Sequence, residues 1–90
     1  MKKIIITVEG KDMVGIIAEV SAFLRKANVN ILDISQTVVQ DYFNMMMIAD
    51  GAKSSVKFDS LSKELAKIGA GMGLEIRCQK SEIFEMMHRV

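Results

Sequence analysis

The chain is poor in the residues from which disulfides and metal sites are made. Its 90 residues include one cysteine and one histidine. The lone Cys78 has no partner for an internal disulfide, which favours a reducing compartment and predicts a cytoplasmic location. His88 lies near the end of the sequence without a neighbouring set of ligands, so no metal site is expected.

Long apolar runs and a strong excess of one charge are also missing. No apolar run approaches the roughly 20 residues that a membrane-spanning helix needs. The three isoleucines between Lys3 and Thr7 are too few for the core of a signal peptide. Lysine and arginine total 12 against 11 aspartate and glutamate residues, a formal net charge of +1. This balance gives no reason to expect nucleic acid or a membrane surface as a partner.

What the chain does contain is a regular alternation of strand and helix patterns. A length of 90 residues is enough for one domain but leaves no room for a second core. Half of the residues are hydrophobic, which argues against disorder. Segments rich in isoleucine, valine and methionine, or alternating in polarity, predict strands. The predicted strands are Lys3–Glu9, Val29–Gln40, Phe43–Ala49 and Leu74–Gln79, and the first helix spans Gly15–Ala27.

Three further patterns refine this order of elements. A second helix is predicted between residues 58 and 72 because apolar residues recur there at spacings of three and four. Ile31 to Ile34 breaks the alternation of the second strand, which indicates a bulge. Phe43 to Ala49 is apolar almost throughout, as is typical of a strand covered on both faces.

The order of elements predicts an α+β fold. It is a ferredoxin-like βαββαβ sandwich, with an antiparallel four-stranded sheet and two helices on one face. The core is expected over residues 3–79, followed by a C-terminal helix over residues 81–90. The second sheet face would expose Ile5, Met46 and Ile48 unless something covers it. A homodimer is the expected cover, and the final helix is the alternative.

The stretch from Asp12 to Ile17 is the strongest candidate for a binding site. The first turn of a helix has backbone N–H groups without intrahelical partners, and these favour an anion such as a carboxylate. Asp12 would repel a bare anion but suits a ligand that also carries an ammonium group. Asn30, at the start of the second strand, offers both a donor and an acceptor. The simpler alternative is that Asp12 caps the helix and Gly15 only eases the turn.

Other motifs favour structure over chemistry. The glycines of Gly69 to Gly73 follow a helix and precede a strand, the reverse of a dinucleotide-binding loop, so they indicate a helix terminus. The methionines are expected to fill the core and interfaces, and Cys78 is expected to be an inert, buried thiol. No nucleophile lies beside a base, so no catalytic residue and no cofactor are expected.

Thr7 to Ser21 and Asn28 to Ile34 resemble the ACT domain, a regulatory module that typically binds amino acids. Ile83 to Val90 is similar to the C-terminal signature of the small stand-alone ACT proteins of bacteria and archaea, which lack an attached enzyme. The resemblance covers nearly all of the chain and implies a single ACT-like domain over residues 1–90.

The resemblance also implies where a ligand would bind. In ACT domains that bind amino acids, the ligand lies between two subunits, at the loop after the first strand and the start of the neighbour's second strand. The corresponding residues are Asp12, Val14, Gly15, Ile16, Asn30 and Ile31. Gly10 stands where serine-sensing relatives have a histidine, which argues against serine as the ligand.

These observations predict a homodimeric sensor, not an enzyme, with a small amino acid at its subunit interface. The amides near Gly15, Ile16 and Ile17 would bind the ligand carboxylate, and Asp12 and Asn30 its ammonium group. Val14 and Ile31 would enclose the ligand side chain, and a regulated protein partner is compatible with this role.

Two other classes of function stay open. One is an adaptor that binds no small ligand and contacts another protein through its apolar sheet face or final helix. The other is a small hydrolase resembling acylphosphatase. That enzyme uses an arginine in the loop after the first strand, where this chain has Lys11 and no arginine.

Overall fold

The computed structural model describes residues 2–82. It contains four strands and two helices in the predicted order. They are β1 (Lys3–Lys11), α1 (Ile16–Lys26), β2 (Asn30–Val39), β3 (Tyr42–Asp50), α2 (Phe58–Met72) and β4 (Leu74–Lys80). The strands form one antiparallel sheet in the order β2-β3-β1-β4. This is the ferredoxin-like arrangement expected from the sequence.

The core lies between one face of the sheet and the two helices. Along β1, Ile4, Ile6 and Val8 are fully buried, as the alternation of side chains along a strand predicts. The helices contribute stripes at helical spacing, and each fully buried side chain of this kind contributes roughly 1.5–3 kcal/mol. The buried helix residues are Ile16, Val20 and Leu24 of α1 and Leu61, Leu65 and Gly69 of α2.

The expectation that β3 is covered on both faces is wrong for the residues described. Burial alternates along this strand: Phe43, Met45 and Met47 are buried, whereas Tyr42 and Met46 are exposed. The long apolar run arises because methionines occupy both faces, not because both faces are covered. On the second sheet face, Met46 pairs with Thr7, next to the pair of Ile5 and Ile48. The expected exposure of this face is confirmed for Met46 but is wrong for Ile5, which is 5% exposed, and Ile48 is half-buried.

β1 is longer than the sequence predicts, and β2 has the irregularity that the sequence predicts. β1 continues two residues beyond Glu9 because Gly10 and Lys11 still pair with Phe43 and Tyr42 of β3. β2 has the predicted bulge, since Ile31 pairs with Ala49 and Asp33 with the adjacent Ile48. Leu32 is the extra residue.

α2 ends where the glycine-rich segment predicts a terminus. Gly73 adopts a left-handed conformation with φ of 70°, and its N–H bonds back to the carbonyl of Ala70. Of the predicted C-terminal helix, only Ser81 and Glu82 are described, and both are helical. Residues 83–90 lie outside the described part of the chain.

Within residues 2–82, no helix combines the length and the apolar character needed to cross a bilayer.

Candidate functional site

The first turn of α1 opens toward solvent without a capping side chain. Gly15 precedes the helix with φ of 94° and ψ of 2°, a left-handed conformation that glycine adopts without strain. Its carbonyl accepts the first helical hydrogen bond, from Glu19 N–H at 2.9 Å. Among residues 2–82, no side chain caps this end of the helix. The alternative in which Asp12 caps α1 is therefore wrong, and the amides of the first turn point outward unsatisfied by any cap.

Asp12 is held at the edge of this opening by its backbone. Its N–H donates to the carbonyl oxygen of Asp41, in the turn between β2 and β3, at 2.7 Å. This bond extends the pairing of β1 with β3 by one residue and fixes the direction in which the loop leaves the sheet. The Asp12 side chain is exposed and makes no hydrogen bond with residues 2–82.

A depression of about 400 Å³ lies in front of the helix start, and we refer to it as the helix-start cavity. It lies between the loop after β1, the first turn of α1 and the second half of β2. Its lining includes four of the predicted site residues and several others: Asp12, Met13, Gly15, Ile16, Ile17, Ala18, Gln36, Val38 and Phe43.

Gln36 and Val38 were missed in the sequence, although a signal for them exists. The bulge at Leu32 reverses the alternation of β2, so the even-numbered residues after it share the face that the helices cover. Counting from the bulge places Gln36 and Val38 on that face. Gln36 adds an amide to the cavity wall, and Val38 adds an exposed apolar surface.

One chain does not bring all the predicted site residues together. Asn30 and Ile31 lie at the far end of β2, where Asn30 pairs with Asp50, whereas Asp12 follows the other end of the sheet. With about 3.3 Å per residue, the two ends are on the order of 25 Å apart. Val14 is 98% exposed and lines no wall in a single chain. A site containing Asp12 and Asn30 therefore requires two copies of the chain.

Asn30 and Ile31 instead line a second cavity, of about 590 Å³, between the second half of α1 and the loop after β3. Six of its eight lining residues are polar or charged. Its lining consists of Ser21, Arg25, Asn28, Val29, Asn30, Ile31, Asp50 and Lys53. We refer to it as the cationic cavity, because two cations, Arg25 and Lys53, and one acid, Asp50, line it.

Packing explains why position 10 is a glycine. This is the position at which the ACT resemblance implies a histidine in serine-sensing proteins. A Cβ at Gly10 would lie 2.7 Å from Cδ2 of Leu74 and 3.2 Å from the carbonyl oxygen of Gly73. Contacts this short are repulsive, so β1 and β4 can approach here only without a side chain. Together with the φ of 153° at Gly10, which L side chains rarely adopt, this packing makes any side chain at position 10 strained.

The remaining chemical candidates are weak in the described part of the chain. Burial raises the pKa of the Cys78 thiol to about 11, which keeps the sulfur protonated and unreactive at neutral pH. Residues 2–82 contain no group of three or more His, Cys, Asp or Glu side chains arranged to hold a metal ion. His88 lies outside the described residues.

Comparison with known proteins identifies a family that has this fold. A family model described as ACT domain matches residues 2–79. The chain belongs to the ACT domain family. A UPF0237 protein of Bifidobacterium longum is 52% identical over 90 residues and covers 100% of both chains. The ACT domain is a regulatory type of domain.

Solved structures agree with this assignment. An ACT domain protein from Streptococcus pneumoniae superposes with a TM-score of 0.80 at 40% identity, over 93% of this chain and 94% of that chain. A formyltetrahydrofolate deformylase from Pseudomonas syringae has a TM-score of 0.80 at 22% identity, over 88% of this chain and 27% of that chain. At that identity the likeness shows a shared fold alone.

Proposed function

We propose that this ACT protein is a homodimeric sensor that binds a small amino acid between its two subunits and acts by binding, not by catalysis. The observation that carries the proposal is the uncapped first turn of α1 at the base of the helix-start cavity. Backbone amides at such a position attract a carboxylate. Asp12 at the rim supplies the opposite charge, which an α-ammonium group requires.

The exposed edge of the sheet supports the dimer. β2 is an edge strand, and nearly all of its residues are exposed, among them Leu32, Ile34 and Val38. An edge strand with unpaired backbone groups and apolar side chains is a template for pairing with another strand. Antiparallel pairing of β2 with β2 of a second copy would align the start of one strand with the end of the other.

That alignment would complete the site. Asn30 and Ile31 of one copy would then approach the helix-start cavity of the other, which a single chain holds at the opposite end of the sheet. Val14, exposed in one chain, would lie near the second copy. The ligand would thus stabilise the dimer, and it would do so by its difference in affinity for the paired and unpaired states.

A thermal unfolding screen against the twenty amino acids tests the proposal. A ligand at 100 times its dissociation constant should add about 2.7 kcal/mol to the free energy of unfolding. Asp12→Ala and Asn30→Ala should each reduce the shift. Matched controls are Asp59→Ala on α2 and Asn44→Ala on β3, which remove the same side chains from exposed positions outside both cavities.

Analytical ultracentrifugation with and without the stabilising amino acid should show a dimer that the ligand strengthens. A shift that survives both site substitutions would contradict this location of the site.

The adaptor hypothesis has its own supporting observation, the exposed apolar residues Met46, Val39 and Tyr42 on or beside the open sheet face. It predicts that no amino acid changes the unfolding temperature. If no amino acid shifts the unfolding temperature of the stable, folded protein, the adaptor hypothesis would therefore replace the sensor proposal.

A further inference from the structure

The cationic cavity is held in shape by contacts between distant parts of the chain. The Asn28 side-chain amide donates to the carbonyl oxygen of Lys53 at 2.8 Å, and Ser55 N–H donates to the carbonyl of Ala27 at 2.8 Å. Asn28 itself adopts a left-handed conformation with φ of 60°. These bonds tie the loop after β3 to the end of α1, so the Lys53 and Arg25 side chains emerge on the same cavity.

The cavity has an excess of positive charge. Within residues 2–82, neither Arg25 nor Lys53 forms an ion pair. The one acidic side chain in the lining is Asp50. Its carboxylate accepts a hydrogen bond from Ala52 N–H at 2.9 Å, within the turn that follows β3. Two cations thus share the cavity with one carboxylate that is already hydrogen-bonded. An added anion would find charge-assisted donors there.

The C-terminal end of α1 does not cancel this attraction. Helix carbonyls at such an end carry partial negative charge. Here the carbonyl of Phe23 accepts from Ala27 N–H at 2.9 Å, that of Leu24 from Val29 N–H at 2.9 Å, and that of Arg25 from Asn28 N–H at 3.0 Å. Because these acceptors are occupied, the side-chain cations set the character of the cavity.

We propose that the cationic cavity binds the anionic side chain of an acidic amino acid, and that the ligand of this sensor is a monoamino dicarboxylate such as L-aspartate or L-glutamate. The inference rests on the proposed function, because the cavity of one copy meets the helix-start cavity of another only when the β2 edges pair. The composite site then presents backbone amides, the Asp12 carboxylate and the Arg25–Lys53 cations. A carboxylate, an ammonium group and a second carboxylate complement these in turn.

Isothermal titration calorimetry with L-aspartate, L-glutamate, L-asparagine and L-glutamine tests the inference on the intact protein. Each acid and its amide have nearly the same shape, so the comparison isolates the side-chain charge. We expect the better acid to bind at least about tenfold more tightly than its amide. Arg25→Gln and Lys53→Gln should each weaken binding of the acid about fivefold and leave binding of the amide nearly unchanged.

Lys26→Gln and Lys57→Gln are the matched controls, since both remove an exposed cation near the cavity from positions that do not line it. Equal losses in the controls would mean that the overall field of the protein, not the cavity, selects the acid, and would overturn the inference.

The remaining outcomes separate this inference from the proposed function. Acids and amides that bind equally well, or a preference for an apolar amino acid, would overturn the acidic ligand but leave the amino-acid sensor intact. A protein that binds none of the twenty amino acids, while circular dichroism shows it folded, would overturn both.

Discussion

Two glycines in the last turns of α2 have opposite roles although they are two residues apart. A Cβ at Gly69 would lie 2.8 Å from Cγ1 of Ile76 and 2.8 Å from the carbonyl oxygen of Leu74, whereas a Cβ at Gly71 would meet nothing within 4 Å. Gly69 is buried and lets the helix approach β4 closely. Gly71 faces solvent, where glycine only costs conformational entropy.

Alanine at these positions should therefore change stability in opposite directions. We expect Gly69→Ala to lower the free energy of unfolding by about 1–3 kcal/mol, because the backbone of Leu74 cannot move aside easily. Gly71→Ala should raise it by up to about 1 kcal/mol, because alanine favours the helical conformation. Urea unfolding followed by circular dichroism measures both, and two values of the same sign would contradict the tight α2–β4 contact.

Sequence reasoning found this segment but not the difference within it. The position of the segment after a helix correctly indicated a terminus, and Gly73 ends α2 as expected. Which of the other glycines is required depends on β4, which packs against the helix only after the chain has turned back. The same holds for Gly10, whose requirement comes from Leu74 across the sheet.

At the scale of elements, β2 differs from the other strands in being exposed along almost its whole length. Its middle falls at Ile34 and Ser35, and Ile34 is 39% exposed on the face that carries the helices. In antiparallel pairing of two identical strands, residues at the middle of the strand lie opposite, or nearly opposite, their own copies. A charge at this point would meet the same charge.

Ile34→Lys should consequently weaken self-association more than a charge elsewhere. We expect the dimer dissociation constant to rise at least about tenfold, since two ammonium groups would oppose each other at the centre of the interface. Val56→Lys is the matched control, because Val56 is also a partly exposed apolar residue but lies in the loop before α2. Sedimentation velocity compares the two, and equal effects would argue against pairing through β2.

The sequence predicted the elements well because their patterns are local. The spacing of Leu61 and Leu65 follows from helix geometry alone, and the bulge near Leu32 is visible in the broken alternation of β2. The relation between Asp12 and Asn30 is different, because it depends on strand lengths and on how four strands pair. A reading of the chain order alone brings them near each other, whereas the sheet separates them.

At the scale of the whole molecule, the near-neutral net charge conceals an uneven distribution. Among the residues described, cations gather where β1 and β2 begin and β4 ends, and they outnumber the acids Asp50, Asp59 and Glu82 there. This basic end carries Lys2, Lys3, Arg25, Lys26, Lys53 and Lys80. The opposite, acidic end carries Glu9, Asp12, Glu19, Asp41 and Glu75, together with Lys11.

Antiparallel pairing of two β2 edges would bring each basic end beside the acidic end of the other copy. The dimer should then weaken as salt screens this attraction. Raising sodium chloride from about 50 to 500 mM should increase the dissociation constant roughly fivefold in sedimentation equilibrium. Association through the open, apolar sheet face would behave differently, because salts leave hydrophobic contacts unchanged or strengthen them.

The uncapped start of α1 offers a way to detect a ligand bound at the helix-start cavity. The N-cap of α1 is Gly15, which has no side chain to cap the helix, and a polar capping residue is worth only a few tenths of a kcal/mol more than glycine at an N-cap. The amides of the first turn of α1 have no capping hydrogen bond from residues 2–82, so they are expected to exchange with solvent when the turn opens locally. An anion bound there would accept hydrogen bonds from the free amides of this turn. Hydrogen–deuterium exchange at Ile16 and Ile17 should therefore slow even without a change in the shape of the protein. Amide exchange in this turn would in this way report ligand binding.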